Sequence, residues 1–120
     1  MREAIHMIFP EVKSMISPDL QVGVMPADPD DCAILIEMEI GPKGLEGGDL
    51  FQFVAVTPAN LSKETEWRWG RGYLVLHSFS WTAIEDAVAK LLTRAARPSW
   101  SEVASELAKE LQWEFDNYRE

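Results

Sequence analysis

From Cys32 to Ile40 the chain reads C-A-I-L-I-E-M-E-I, with Ile34, Ile36, Met38 and Ile40 recurring at every second residue. That period belongs to a β-strand, so the four apolar side chains share one face and Glu37 and Glu39 point from the other. The segment Gly41-Pro-Lys-Gly-Leu-Glu-Gly-Gly48 then breaks the run. Leu50 to Val56 (LFQFVAV) resumes a strand, with Phe51, Phe53 and Ala55 on one side and Gln52, Val54 and Val56 on the other. The two runs are expected to pair antiparallel through a long glycine-punctuated hairpin loop. A sheet with one strongly apolar face must bury it under other elements, which constrains the rest of the chain.

The remaining segments supply further strands and that cover. Glu11 to Ser17 (EVKSMIS) alternates with Val12 inward, or with Met15 inward on the opposite parity, before the breaker Ser17-Pro18-Asp19. It reads as a short edge strand. Pro26 to Asp31 is a turn-rich connection, and Tyr73 to Phe79 (YLVLHSF) a further strand with Leu74 and Leu76 on one face. Thr57-Pro58 suits a helix start, placing a short helix over Ala59 to Glu64, and Trp67 to Gly72 should turn. Ile84, Val88, Leu91, Leu92 and Ala95 follow the 3.6-residue period, with Ser80 or Thr82 as cap. In the next helix Ser99 and Glu102 form a capping box, and Val103, Ala104, Leu107, Ala108, Leu111 and Phe115 form the buried stripe.

Strands followed by helices indicate an α+β domain. The expectation is one sheet of about four mostly antiparallel strands, a short helix after the third strand, and two C-terminal helices packed on one sheet face. A single domain spans residues 1–120, with residues 1–9 a peripheral extension. The start of the chain lacks an apolar signal-peptide core, and no apolar run approaches the ~20 residues that span a bilayer, so a cytoplasmic location is expected.

Twenty acidic against 11 basic side chains give a net charge of −9. Such a field opposes direct binding to nucleic acid or anionic membranes and favours a basic partner. The lone Cys32 cannot form an internal disulfide, and with two histidines it makes no metal site; no metal or cofactor is expected. The loop glycines match neither dinucleotide-binding nor phosphate-loop spacing, and Asp28, Asp30 and Asp31 lack the calcium-loop pattern. His77 is the better candidate for acid–base chemistry but has no evident nucleophile or partner. Trp67, Trp69 and Arg71 interleave aromatic and cationic groups over a glycine turn.

Glu102, Glu106, Glu110 and Glu114 recur at four-residue spacing. On one helix, like charges at that spacing disfavour each other by about 0.2–0.5 kcal/mol per pair. Glu102 is accounted for by the capping box, and Glu106 by pairing with Lys109 or Lys90. Glu110, Glu114 and Asp116 stand near a helix C-terminus, where the macrodipole disfavours negative charge. They form either a solvated face or a docking surface for something positive.

Several residues recur together and in order: Ile40-Gly-Pro-Lys-Gly44, Gly47-Gly48, then Phe51, Phe53, Val56, Thr57-Pro58 and Leu61. They are followed by Trp69-Gly-Arg-Gly72, Ser80-Trp81 with Ala83-Ile84-Glu85, and the closing Trp113-Glu-Phe-Asp-Asn-Tyr118. From about Glu11 to Tyr118 this set resembles the immunity protein 8 family of bacterial polymorphic toxin systems. The resemblance implies a non-enzymatic inhibitor that binds the C-terminal domain of a cognate toxin one to one. A nuclease, with its basic substrate cleft, suits an acidic inhibitor. Toxin-binding candidates are Glu106, Glu110, Glu114, Asp116, Tyr118, Trp69 and Arg71, the last three because aromatic and arginine side chains dominate interface energetics. The second-choice surface is Asp28, Asp30 and Asp31 with Glu37 and Glu39. The expected oligomeric state is a monomer or weak homodimer. Two rival readings are an acidic subunit of an assembly unrelated to toxins and a small hydrolase centred on His77.

Overall fold

The computed structural model describes residues 6–64 and 70–115. Among these residues five strands form one sheet: β1 (Pro10–Ile16), β2 (Ala33–Pro42), β3 (Asp49–Val56), β4 (Tyr73–Val75) and β5 (Gln112–Trp113). Among the described residues three helices accompany them: α1 (Pro58–Glu64), α2 (Trp81–Arg94) and α3 (Trp100–Leu107). The expected α+β architecture is present.

The β2–β3 hairpin forms as the alternation requires, antiparallel, with Ile36 opposite Phe53 and Met38 opposite Phe51. Its loop is closed by glycine against glycine: a Cβ on Gly41 would fall 1.8 Å from the Gly47 carbonyl oxygen, and one on Gly48 2.4 Å from that of Ile40. These glycines serve backbone approach. On the other side of β2, the antiparallel β1 shifts register between Val12 and Ser14. The bulge at Lys13 lets Val12 oppose Ile40 and Met15 oppose Met38, so both apolar residues pack toward the core instead of one excluding the other.

The far edge of β3 is shared end to end. Its C-terminal half pairs with β4 in parallel (Val54 with Tyr73, Val56 with Val75), and its N-terminal half pairs with β5 antiparallel (Phe51 with Trp113, Gln52 with Gln112). Thus the fourth strand runs parallel and stops at Val75. The chain then bends, and Leu76 and Phe79 are buried without being in a strand.

The inner face of the sheet, Ile34, Ile36, Met38, Ile40, Phe51, Phe53 and Ala55, packs with Ile84 and Val88 of α2 and Val103, Ala104 and Leu107 of α3 in one core. Ser80, not Thr82, caps α2, its Oγ accepting from the Ala83 N–H at 3.1 Å. Ser99 caps α3, accepting from the Glu102 N–H at 3.2 Å and donating to the Glu102 carboxylate at 2.7 Å. Thr57 Oγ1 accepts from the Asn60 N–H at the start of α1 and from the Cys32 N–H.

A further expectation fails. The last helix does not run to Phe115; it ends at Leu107, so the glutamate stripe does not exist as a helical face. Glu102 and Glu106 are helical, Glu110 lies in the following turn, and Glu114 lies just past β5. The preference for sheet is tertiary: Trp113 stacks on Phe51 (centroids 6.2 Å apart), and Arg71 Nε donates to the Ala108 carbonyl at 2.6 Å, satisfying a helix-end acceptor. Of residues 1–9, those described are 6–9: Ile8 pairs backbone to backbone with Arg97 and packs against the core, while Met7 and Phe9 are exposed.

The open face of the sheet

The helices α2 and α3 pack on the inner face, and strand alternation sends every second side chain to the other. The register orders these outward residues in rows across the strands. One row holds Ser14, Glu39 and Leu50, flanked by Glu114. The next holds Ile16, Glu37, Gln52 and Gln112, and a third Leu35, Val54 and Tyr73. Accessibility along β3 rises from Val56, 2% exposed, through half-buried Val54 and Gln52 to Leu50 at 56%. Ile16, across the sheet from Gln52, is 59% exposed.

Two hollows lie on this face. One of about 390 Å³ is lined by Ser14, Ile16, Glu37, Glu39, Leu50 and Gln52, with Gln112 and Glu114 on its far rim. The other, of about 250 Å³, is lined by Leu35, Val54 and Tyr73, with Asn60 and Leu61 of α1 and with Asp19. No lysine, arginine or histidine lines either hollow among the described residues.

The four carboxylates here are not equivalent. Asp19 Oδ2 accepts from the Leu35 N–H at 2.9 Å, where β1 has run out, and Glu114 Oε1 accepts from the Leu50 N–H at 2.8 Å, where β5 has run out. Both complete the strand ladder. The carboxylates of Glu37 and Glu39, half-buried and two residues apart on one strand, make no hydrogen bond or ion pair among the described residues. At about 7 Å separation their charges repel.

The other sequence-predicted residues scatter. Glu106 is held by Arg97 at 2.9 Å and Lys109 at 2.6 Å, as its pairing with Lys109 anticipated; chiefly the Lys109 hydrogen bond keeps its carboxyl below the ordinary range. Lys90 instead pairs with Asp86. Glu110 sits on the helix side, beside Lys90, Arg94 and Leu91 at the rim of a separate hollow. Arg71 is engaged with the carbonyls of Ala108 and Leu111. Asp28 and Asp30 form a turn, the Asp28 carboxylate accepting from the Asp30 N–H. Asp31 binds Lys63 and Asn60, and its carboxyl is lowered chiefly by Lys63. Trp67, Trp69, Asp116 and Tyr118 lie outside the described residues. His77 is exposed in the bend after β4, with no hydrogen-bonded carboxylate or hydroxyl among the described residues, so the geometry a hydrolase centre requires is not assembled around it there. Among the described residues no group of three His, Cys, Asp or Glu side chains could hold a metal ion, and no helix is long and apolar enough to cross a membrane.

The structure therefore gathers the second-choice Glu37 and Glu39 with Glu114 from the first set. The apolar members, Ile16, Leu35, Leu50 and Val54, are not among the site residues that the sequence suggests. Their signal was parity: the hairpin register that buries Phe51 and Met38 turns Leu50 and Glu39 outward together. A family model described as immunity protein 8 matches residues 11–118. No curated protein and no solved structure matches the chain.

Proposed function

The chain belongs to the immunity protein 8 family, an assignment that implies a toxin as its target, and on that premise we propose that it docks the toxin on the open face of its sheet. Inhibition is stoichiometric and takes place in the cytoplasm, with the immunity protein acting as a monomer. The target is a nuclease domain with a basic substrate cleft, into which an acidic surface fits as a phosphate backbone would.

The observation that carries this reading is the pair Glu37 and Glu39: side by side, half-buried, without a cation among the described residues, on a sheet face with exposed Ile16 and Leu50. In the free protein the pair is mildly unfavourable. Against a lysine or arginine of a partner it becomes an attraction, and closing the interface around it removes the water that screens it. Apolar neighbours add the area that charge alone does not provide.

The test is to co-express this protein with any toxin domain found in the neighbouring reading frame, and to capture the complex. Wild-type protein protects the cells and co-purifies one to one. Glu37→Lys with Glu39→Lys is expected to weaken binding at least a hundredfold and abolish protection, since reversing charges in a desolvated interface costs several kcal/mol. Full protection by that double variant would place the docking surface elsewhere.

A further inference from the structure

Resting on that reading, we infer that the toxin element seated on the open face is an amphipathic helix, laid beside α1, basic where it crosses Glu37 and Glu39 and apolar where it crosses Leu35 and Val54. A protein can engage a sheet at its edge, by adding a strand, or on its face, by packing side chains.

The edges here are poor templates. The outer strand β1 begins with Pro10 and is interrupted by the bulge at Lys13, both of which blunt an edge. On the opposite side β4 is three residues long, and β5 is two. No edge offers a long uninterrupted row of backbone donors and acceptors.

The face is an unfinished layer. α1 follows β3 directly, and its Asn60 and Leu61 wall the smaller hollow together with Val54 and Val56. At that end Val56 is covered, yet β3 becomes progressively uncovered toward Leu50. Six residues separate Val56 from Leu50, about 20 Å of strand. A helix of about 13 residues spans that length at 1.5 Å per residue. Lying next to α1, it would cover Leu35, Val54, Leu50 and Ile16 with an apolar stripe, and its flank would meet Glu37, Glu39 and Glu114. The absence of any cation from both hollows among the described residues leaves the positive charge to the partner.

The experiment uses the complex of the full chain with the toxin domain captured in the test above. A photo-crosslinking amino acid is placed at position 50 or 54, and backbone hydrogen exchange is measured with and without toxin. Crosslinks recurring on the toxin at i, i+3 and i+4 in a basic segment, with exchange of β1 edge amides unchanged, are the expected result. Leu50→Arg should raise Kd at least tenfold with an unchanged circular dichroism spectrum. Crosslinks at i, i+2, or new protection along β1, would show strand addition and overturn the helix while leaving the docking surface in place. No complex, or a complex in which neither position 50 nor position 54 crosslinks to the toxin, would overturn the docking surface as well.

Discussion

Asp49 shows how one side chain can join three elements. Its Oδ2 accepts from the indole N–H of Trp100 at 3.1 Å and of Trp113 at 3.0 Å, tying the first residue of β3 to the start of α3 and to β5. Asp49→Ala leaves two partly buried N–H groups without their acceptor and should destabilise the protein by about 2–4 kcal/mol, read as a lower urea midpoint with altered tryptophan fluorescence. Glu37 and Glu39 behave oppositely. Replacing both with glutamine removes a repulsion and should leave stability unchanged or raise it by about 0.5 kcal/mol, while weakening toxin binding. A drop in stability beyond 1 kcal/mol would give the pair a structural role. Local partnerships such as Ser99 with Glu102 are legible from sequence because donor and acceptor lie within one turn. Asp49 and Arg71 are not, because their partners arrive from 37 to 64 residues away, brought in by the sheet.

At the scale of elements, what could be read was whatever repeats. The period-two runs of β2 and β3 and the 3.6-residue run of α2 each span enough residues to declare a face. β4 and β5 are too short to show any period, and their existence depends on β3 having an open edge. The same dependence ended α3 early: helical periodicity continued in the sequence, but Leu111 is buried equally well from a turn, and Trp113 gains a place in the sheet. The open face was half legible, since parity marked Glu37 and Glu39, whereas the crossing of distant chain segments decided which glutamates joined them. Gly72 is the joint between the two short strands. Its φ is +85°, its N–H donates to the Glu110 carbonyl at 2.9 Å, and a Cβ there would meet Gln112 Cγ at 2.9 Å. Gly72→Ala should cost about 1–3 kcal/mol. Hydrogen exchange should show β5 opening before β2 and β3 do in this variant; uniform loss of protection across the sheet would argue against a separable joint.

For the whole molecule, charge sets how stability follows pH. The carboxyls of Glu11, Asp31 and Glu106 all titrate below their ordinary values, chiefly through hydrogen bonds from Lys13, Lys63 and Lys109. A carboxyl depressed in the folded state contributes stability above its unfolded value, and that contribution disappears as pH falls through the folded one. Stability should therefore decline below about pH 4 as these pairs are protonated. Burial pushes the Cys32 thiol up, with Asp28 adding to it, so the stability held by keeping it neutral is lost above about pH 9. A urea midpoint flat between those limits and falling outside both is the expected profile; a midpoint unchanged down to pH 3 would deny the carboxyl pairs any part in it. The alternation in β2 also bears on how such a protein diverges. Ile34, Ile36, Met38 and Ile40 are locked by neighbours on every side, whereas Leu35, Glu37 and Glu39, interleaved with them on the same strand, face outward. On the docking proposed above, inheritance can rewrite recognition one residue at a time without disturbing the scaffold, so lineages facing new toxins would have a surface free to drift beside a core that is not.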